Sequence, residues 1–391
     1  MSEISNYKCP ACTGPLRFDG STGKLVCDYC DSTYDVAEIE ALYAEADKEA
    51  EAEFEKKEEA EAKEKEEAEA FTADTEADDE VEMTGQSDIN ADDSTWGSDA
   101  ANMKVYSCPS CGAELICDDT TAATSCPYCG NNTIIPGQLG GSTLKPDLII
   151  PFKLDKKAAI ESLKNHYKGK FFLPKPFRDK NHIEEIKGIY VPFWLFDGEA
   201  EASVDFSATR THLVPGPKAD VLITEHFKVH RGGTLDFEKI PTDASSKMPD
   251  AMMDSIEPFD YSEAKPFSAA FLPGFFADKY DVTVDESTER ADSRARSTTL
   301  DYFQDTVNGY QTCTVSGSKI DIHRGKVHYA LLPVWMLTTR WRDETYMFAM
   351  NGQTGKFIGD LPVDKGRVGL TFAGISIPLM IILGLIMFLA V

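Results

Sequence analysis

Eight cysteines arranged as four C-x-x-C pairs constrain this chain more than any other feature. They form two groups. C-P-A-C at Cys9 and Cys12 precedes C-D-Y-C at Cys27 and Cys30, and C-P-S-C at Cys108 and Cys111 precedes C-P-Y-C at Cys126 and Cys129. Each group has 14 residues between its inner cysteines. An internal repeat of this kind specifies two copies of one small unit. Thiolates are soft ligands that suit zinc, and four of them satisfy its tetrahedral preference at about 2.3 Å. C-x-x-C lets both sulfurs of one turn face the same ion, and Gly112 and Gly130 give the chain freedom to bend after the second cysteine. Units this small bury little core, so the metal would supply their folding free energy. Two structural Zn2+ ions are therefore expected. With cysteine in all four positions, none is left open for catalysis. Cys117 and Cys313 stand outside the pattern and read as buried thiols.

Disulfides and iron–sulfur clusters fit less well. The N-terminal MSEISNYK lacks the apolar core of a secretory signal, so an oxidising compartment is not indicated. The cysteine spacing is not that of a [4Fe-4S] site. At the other end, residues 368–391 (VGLTFAGISIPLMIILGLIMFLAV) carry no charge over 24 residues. About 20 apolar residues suffice to span a bilayer. Lys365 and Arg367 precede the span, so the positive-inside rule places the N-terminal region in the cytoplasm. The expected arrangement is a single-pass, tail-anchored protein of the cell membrane.

The net charge of -27 is concentrated in one segment. Residues 35–72 hold 16 acids against 5 bases and residues 73–104 hold 10 against 1, leaving only -7 for the remainder. The first stretch, rich in Ala, Glu and Lys without Gly or Pro, reads as a solvated helix. The second, from Ala73 to Asn102, reads as disorder. The segment serves as a spacer or as a docking site for a basic partner. The expected organisation is ribbon 1 at 1–36, an acidic linker at 37–104, ribbon 2 at 105–135, a β-rich α+β main domain at 148–362 and the transmembrane helix at 368–391. Residues 131–147 would be a further linker. The fold class is thus multidomain and mainly β.

Within the main domain, Asp155 is placed to cap a helix through Tyr167, with Ile160, Leu163 and Tyr167 on one face. Arg324-Gly325 and Asn351-Gly352 are hairpin-turn signals. Residues 286–305 suit a helix. GIYVPFWLFD around Pro192 and Trp194 echoes YALLPVWML around Pro333 and Trp335, which two related hairpins in a pseudo-symmetric domain would explain.

No active site is nominated. The NGQTGK turn at 351–356 has the wrong glycine spacing for a phosphate loop, and Phe357 stands where Ser or Thr is required. His226 and His230 share a strand face with Lys228 between them, and His323 and His328 flank the Arg324-Gly325 signal. No G-x-S-x-G motif occurs. The expectation is a protein that is not an enzyme. Neither ribbon carries a basic stripe interleaved with aromatics, which argues against nucleic acid as the partner. A membrane-tethered nucleic-acid binder remains the alternative reading, because zinc ribbons occur in such proteins.

The two ribbons, the P-x-W strands at 192–194 and 333–335, the NGQTGK turn before LPVD and the apolar C-terminal span together resemble the YdjG-like family of bacterial membrane-anchored double zinc-ribbon proteins. The resemblance implies that Cys9, Cys12, Cys27, Cys30, Cys108, Cys111, Cys126 and Cys129 ligate zinc. It implies an adaptor that docks cytoplasmic proteins at the membrane, acting with a flotillin-like SPFH partner in membrane-stress recruitment. The acidic insert between the ribbons departs from that pattern.

Overall fold

The computed structural model describes residues 8–42, 96, 103–118, 125–131, 134–138, 143–180, 185–216, 219–342 and 344–390, except 13, 28 and 343. Short alternating runs at the N-terminus form β1 (Leu16–Asp19), β2 (Lys24–Cys27) and β3 (Thr33–Tyr34), a separate three-stranded sheet in that order. Alternation turns Leu16, Phe18, Leu25 and Cys27 inward, and all four are buried. The chain continues into α1 (36–42), where Ile39 is buried. The expected acidic helix beyond residue 42 lies outside the described residues. Most of the stretch read as disorder does too, but Trp96 corrects that reading at one point. It is buried, donates Nε1 to the Leu144 carbonyl at 3.0 Å and meets Phe267 edge-on at 5.4 Å.

The second cysteine module contributes β4 (Met103–Ser107), β5 (Glu114–Asp118) and β6 (Ile135–Gln138). β6 pairs with β4 inside the segment expected to be a linker. The main region follows with β7 (Leu148–Ile149), α2 (Lys156–Tyr167), α3 (Lys175–Lys180), β8 (Lys187–Val214), β9 (Val221–Asp243), α4 (Asp250–Ile256), β10 (Lys265–Pro266) and β11 (Phe276–Asp278). It closes with α5 (Val284–Asp305), β12 (Thr312–Trp341), β13 (Glu344–Asn351), β14 (Phe357–Gly359) and α6 (Lys365–Ala390). The fold is mainly β, with an 11-stranded sheet whose central path runs β10-β7-β12-β8-β11-β5-β4-β6.

The two P-x-W strands lie side by side. β8 and β12 pair antiparallel along 187–209 and 312–336, with Pro192 opposite Leu331 and Pro333 opposite Tyr190. Two matching units surround this pair. β7 runs parallel to β12, as β11 does to β8. Each short strand leads into a capped helix and then a long strand with an antiparallel return. Asp155 accepts from the Ala158 N–H to cap α2, and Thr283 with Glu286 forms a capping box on α5. The tryptophans repeat one network. Ala244 N–H donates to the Pro192 carbonyl, Val282 N–H to the Ala244 carbonyl, and Trp194 Nε1 to the Val282 carbonyl at 2.9 Å. Gly352 N–H donates to the Pro333 carbonyl, Leu154 N–H to the Gly352 carbonyl, and Trp335 Nε1 to the Leu154 carbonyl at 2.9 Å. Each buried indole thereby satisfies its N–H while covering the core.

One hairpin signal is corrected. Arg324-Gly325 lies within a continuous β12, where the register slips between Arg324 and Val327 as a bulge. Asn351-Gly352 does open the turn joining β13 to β14. Beyond the bulge, β8, β9 and β12 continue as a three-stranded arm. Ala200, Ala202, Val204, Phe206 and Ala208 alternate onto one buried face of that arm, and α5 packs Phe303 against it.

Candidate metal centres

All four cysteine turns share one backbone hydrogen bond. The N–H of the first cysteine reaches the carbonyl five residues ahead: Cys9 to Gly14, Cys27 to Ser32, Cys108 to Ala113 and Cys126 to Asn131, at 2.7 to 3.0 Å. In three of them the residue after the second cysteine has positive φ and donates back to the first: Asp31 to Cys27, Gly112 to Cys108 and Gly130 to Cys126. Glycine adopts this left-handed conformation without a Cβ clash, and Asp tolerates it better than most residues.

These turns bring the eight predicted ligands together as two tetrads, Cys9, Cys12, Cys27, Cys30 and Cys108, Cys111, Cys126, Cys129. Within each, the Sγ atoms lie within 4.8 Å of one another. Cys9 and Cys30 are 3.5 Å apart and Cys12 and Cys27 3.4 Å; in the second tetrad both corresponding distances are 3.6 Å. Sulfurs at about 2.3 Å from a tetrahedral ion are roughly 3.8 Å apart, so the donor set fits a metal ion. None of the ten cysteines is in a disulfide. Cys117 is buried on β5 as expected, whereas Cys313 on β12 is only partly buried, short of its reading as a buried thiol.

The electrostatics favour thiolate at the first position of each tetrad. Desolvation opposes ionisation at Cys9, but the Tyr34 hydroxyl and the backbone N–H groups of Ala11 and Cys12 outweigh it and lower its pKa to about 6. At Cys108 burial is likewise overcome, here by the N–H groups of Cys111 and Ser110, giving about 7. Burial pushes Cys111 up to about 11. A cation binding there must displace the remaining protons. The second tetrad also has two lysines nearby. Lys187 donates to the Ser125 hydroxyl at 2.6 Å, beside Cys126, and Lys247 is held at 2.8 Å from Asp281 within electrostatic range of Cys111. These lysines come from the main region and carried no local sequence signal.

The tetrads are mounted differently. In the first, Phe18 meets Phe271 edge-on at 5.1 Å, and the Phe18 N–H donates to the Pro273 carbonyl at 3.4 Å. Gly20 lies so close to the Phe152 backbone that a Cβ there would fall 2.1 Å from its carbonyl oxygen. The second is joined by hydrogen bonds to the main sheet, with Ile116 opposite Ala277 and Leu115 opposite Asp278.

Among the described residues the histidines form no comparable cluster. His226 and His230 share a face of β9, and His230 pairs instead with Asp205 at 2.9 Å. His328 lies within β12, not in a hairpin turn, at 3.3 Å from Asp197. Asn351 and Gln353 of the NGQTGK turn are buried, and Asn351 donates to the carbonyls of Ile256 and Pro258. That turn is a structural junction.

α6 is long and apolar enough to cross a membrane, the one such helix among the described residues, and its span is unburied. Asp364 caps it, accepting from the N–H groups of Gly366 and Arg367. The fold and sites thus define a mainly β protein with two four-cysteine groups able to hold metal ions and one apolar C-terminal helix. The chain is 33% identical over 320 residues to the uncharacterized protein YdjG of Bacillus subtilis strain 168, covering 69% of this chain and 94% of that one. It belongs to the YdjG family. No family model and no solved structure matches it.

Proposed function

We propose that the protein is a tail-anchored zinc-ribbon adaptor. Each tetrad holds one structural Zn2+, α6 spans the cell membrane, and the N-terminal region faces the cytoplasm. The ribbons present a docking surface for a cytoplasmic protein, and the family resemblance points to a flotillin-like SPFH partner in recruitment to stressed membranes. The observation that carries this reading is the first ribbon's outer face. One side of the ribbon is fixed to the main region through Phe18 and Gly20, while Cys12, Cys30 and Tyr29 face solvent, with Tyr29 78% exposed. An exposed aromatic on a rigid turn suits a protein-contact anchor. Four thiolates per ion support a structural rather than a catalytic metal.

The test is native co-purification in mild detergent with mass spectrometry, comparing the intact chain with Tyr29→Ser and with a Cys9→Ser/Cys12→Ser double variant. A membrane-scaffold protein recovered with the intact chain and lost from both variants supports the adaptor. Partner recovery indifferent to both substitutions removes the first ribbon from the role. Recovery of nucleic acid in place of protein favours the alternative.

A further inference from the structure

The start of α6 is tied to a loop that is basic and aromatic. The Asp364 N–H donates to the Phe172 carbonyl at 2.9 Å, and the Arg367 guanidinium reaches the carbonyls of Phe171 and Leu173 at 3.4 and 3.5 Å. These bonds hold residues 171–173 level with the first turn of the helix. Phe171 is 70% exposed and Phe172 37%, although both are large and apolar. Beside them lies an open hollow of about 330 Å3, lined by Lys164, Tyr167, Lys168, Lys170, Phe171 and Arg178. Residues 164–180 contain six bases and one acid, in a chain of net charge -27. The local excess is therefore opposite in sign to the molecule as a whole.

We propose that this hollow is a binding site for the headgroup of an anionic phospholipid in the leaflet that α6 enters. The inference rests on the reading of α6 as a membrane span. Lys164, Lys168, Lys170 and Arg178 supply cationic donors at the depth of the lipid phosphate. Phe171 and Phe172 supply apolar area that belongs at the boundary between headgroups and acyl chains. Basic residues beside a span attract acidic lipid through the surface potential of the leaflet. Phosphate contact also suits Arg geometry, since the guanidinium fork matches two oxygens. The site would fix the rotation and depth of the β region above the membrane, which one helix alone leaves free.

The test uses the full chain in lipid nanodiscs with spin-labelled phosphatidylglycerol or phosphatidylcholine as a minor probe. The fraction of each probe immobilised by the protein is measured. The expected result is enrichment of phosphatidylglycerol by about threefold, reduced at high salt and brought near parity by Lys164→Gln/Lys168→Gln/Lys170→Gln. Phe171→Ser lowers the immobilised fraction of both probes. Equal immobilisation of the two lipids, or enrichment unchanged by the triple substitution, overturns the proposal. Enrichment abolished by millimolar inorganic phosphate also overturns it, marking a small-anion site. If the chain stays in the discs without lipid preference, the headgroup site fails and the span stands. If the chain leaves the discs, both fail.

Discussion

The two cysteine modules have the same turns and the same ligand spacing, yet they are held by different forces. The first keeps its own sheet and touches the main region through side-chain packing at Phe18 and a backbone approach at Gly20. The second is continuous with the main sheet through β5 and β11, and the main-region Lys187 and Lys247 lie near its cysteines. A repeated local motif can thus be a docked attachment in one place and part of the framework in another. Local sequence sets the metal geometry; the surroundings decide how far loss of the metal spreads.

The largest expected effect separates the modules directly. Metal binding in small four-ligand modules contributes about 10–16 kcal/mol, comparable to the whole stability of a domain. Cys126→Ser is expected to remove about one metal ion per chain and loosen β5 and β11 together, exposing main-sheet amides to hydrogen exchange. Cys27→Ser should remove the same amount of metal while main-sheet protection stays near that of the parent. Elemental analysis paired with exchange mass spectrometry reads both, and equal spreading in the two variants would erase the distinction.

Next in size is the docking of the first module. Phe18→Ala deletes a buried ring, a change that costs about 3–5 kcal/mol in well-packed sites. It should release the module while both metal ions remain bound. Limited proteolysis would show faster cleavage around residues 14–42 at unchanged metal content; loss of metal together with docking would mean that the module does not stand alone. Gly20→Ala should act in the same direction, because its Cβ has no room.

The second module's junction should leave a pH signature. Burial raises Asp278 to about 7 against the opposing hydrogen bond from Ser245. The folded state therefore holds this proton more tightly than the unfolded chain. Its contribution is full below the ordinary carboxylate pKa and is lost as pH rises toward 7, by up to about 4 kcal/mol. Denaturant unfolding from about pH 5.5 to 7.5 should show stability falling with pH, and Asp278→Asn should flatten that slope. An unchanged slope would show that Asp278 does not carry it.

The smallest effect compares single turns. Gly130→Ala places a Cβ at φ +70 and should cost about 1–2 kcal/mol. Asp31→Gly relieves a positive φ and should leave metal affinity in the first module level or slightly higher. Competition with a chelator reads both; equal responses would show that backbone strain in these turns does not reach the sulfurs.

Much of this was legible in sequence because the determinants are local. C-x-x-C fixes two sulfurs within one turn, Asp155 caps the helix that follows it, and 24 uncharged residues specify a membrane-length helix. The P-x-W echo also carried real information, since those strands pair at the pseudo-symmetric centre. Other features were hidden because they depend on which distant residues meet. Trp96 falls within the stretch read as disorder, and its partners Leu144 and Phe267 lie far along the chain. Arg324-Gly325 reads as a turn in isolation, but its neighbours across β8 keep the strand going and absorb one extra residue as a bulge.

The sequence by itself determined the two sulfur tetrads, the Asp155-capped helix and the apolar helix, since each follows from residue types within one turn, one helix or one small module. Only the tertiary structure decided that β11 pairs with β5, that Gly20 must lack a Cβ, and that Phe171 and Phe172 lie beside the start of α6. Pairing of distant strands and loops is selected by the summed burial and hydrogen bonding of the whole chain, and no local pattern encodes that sum.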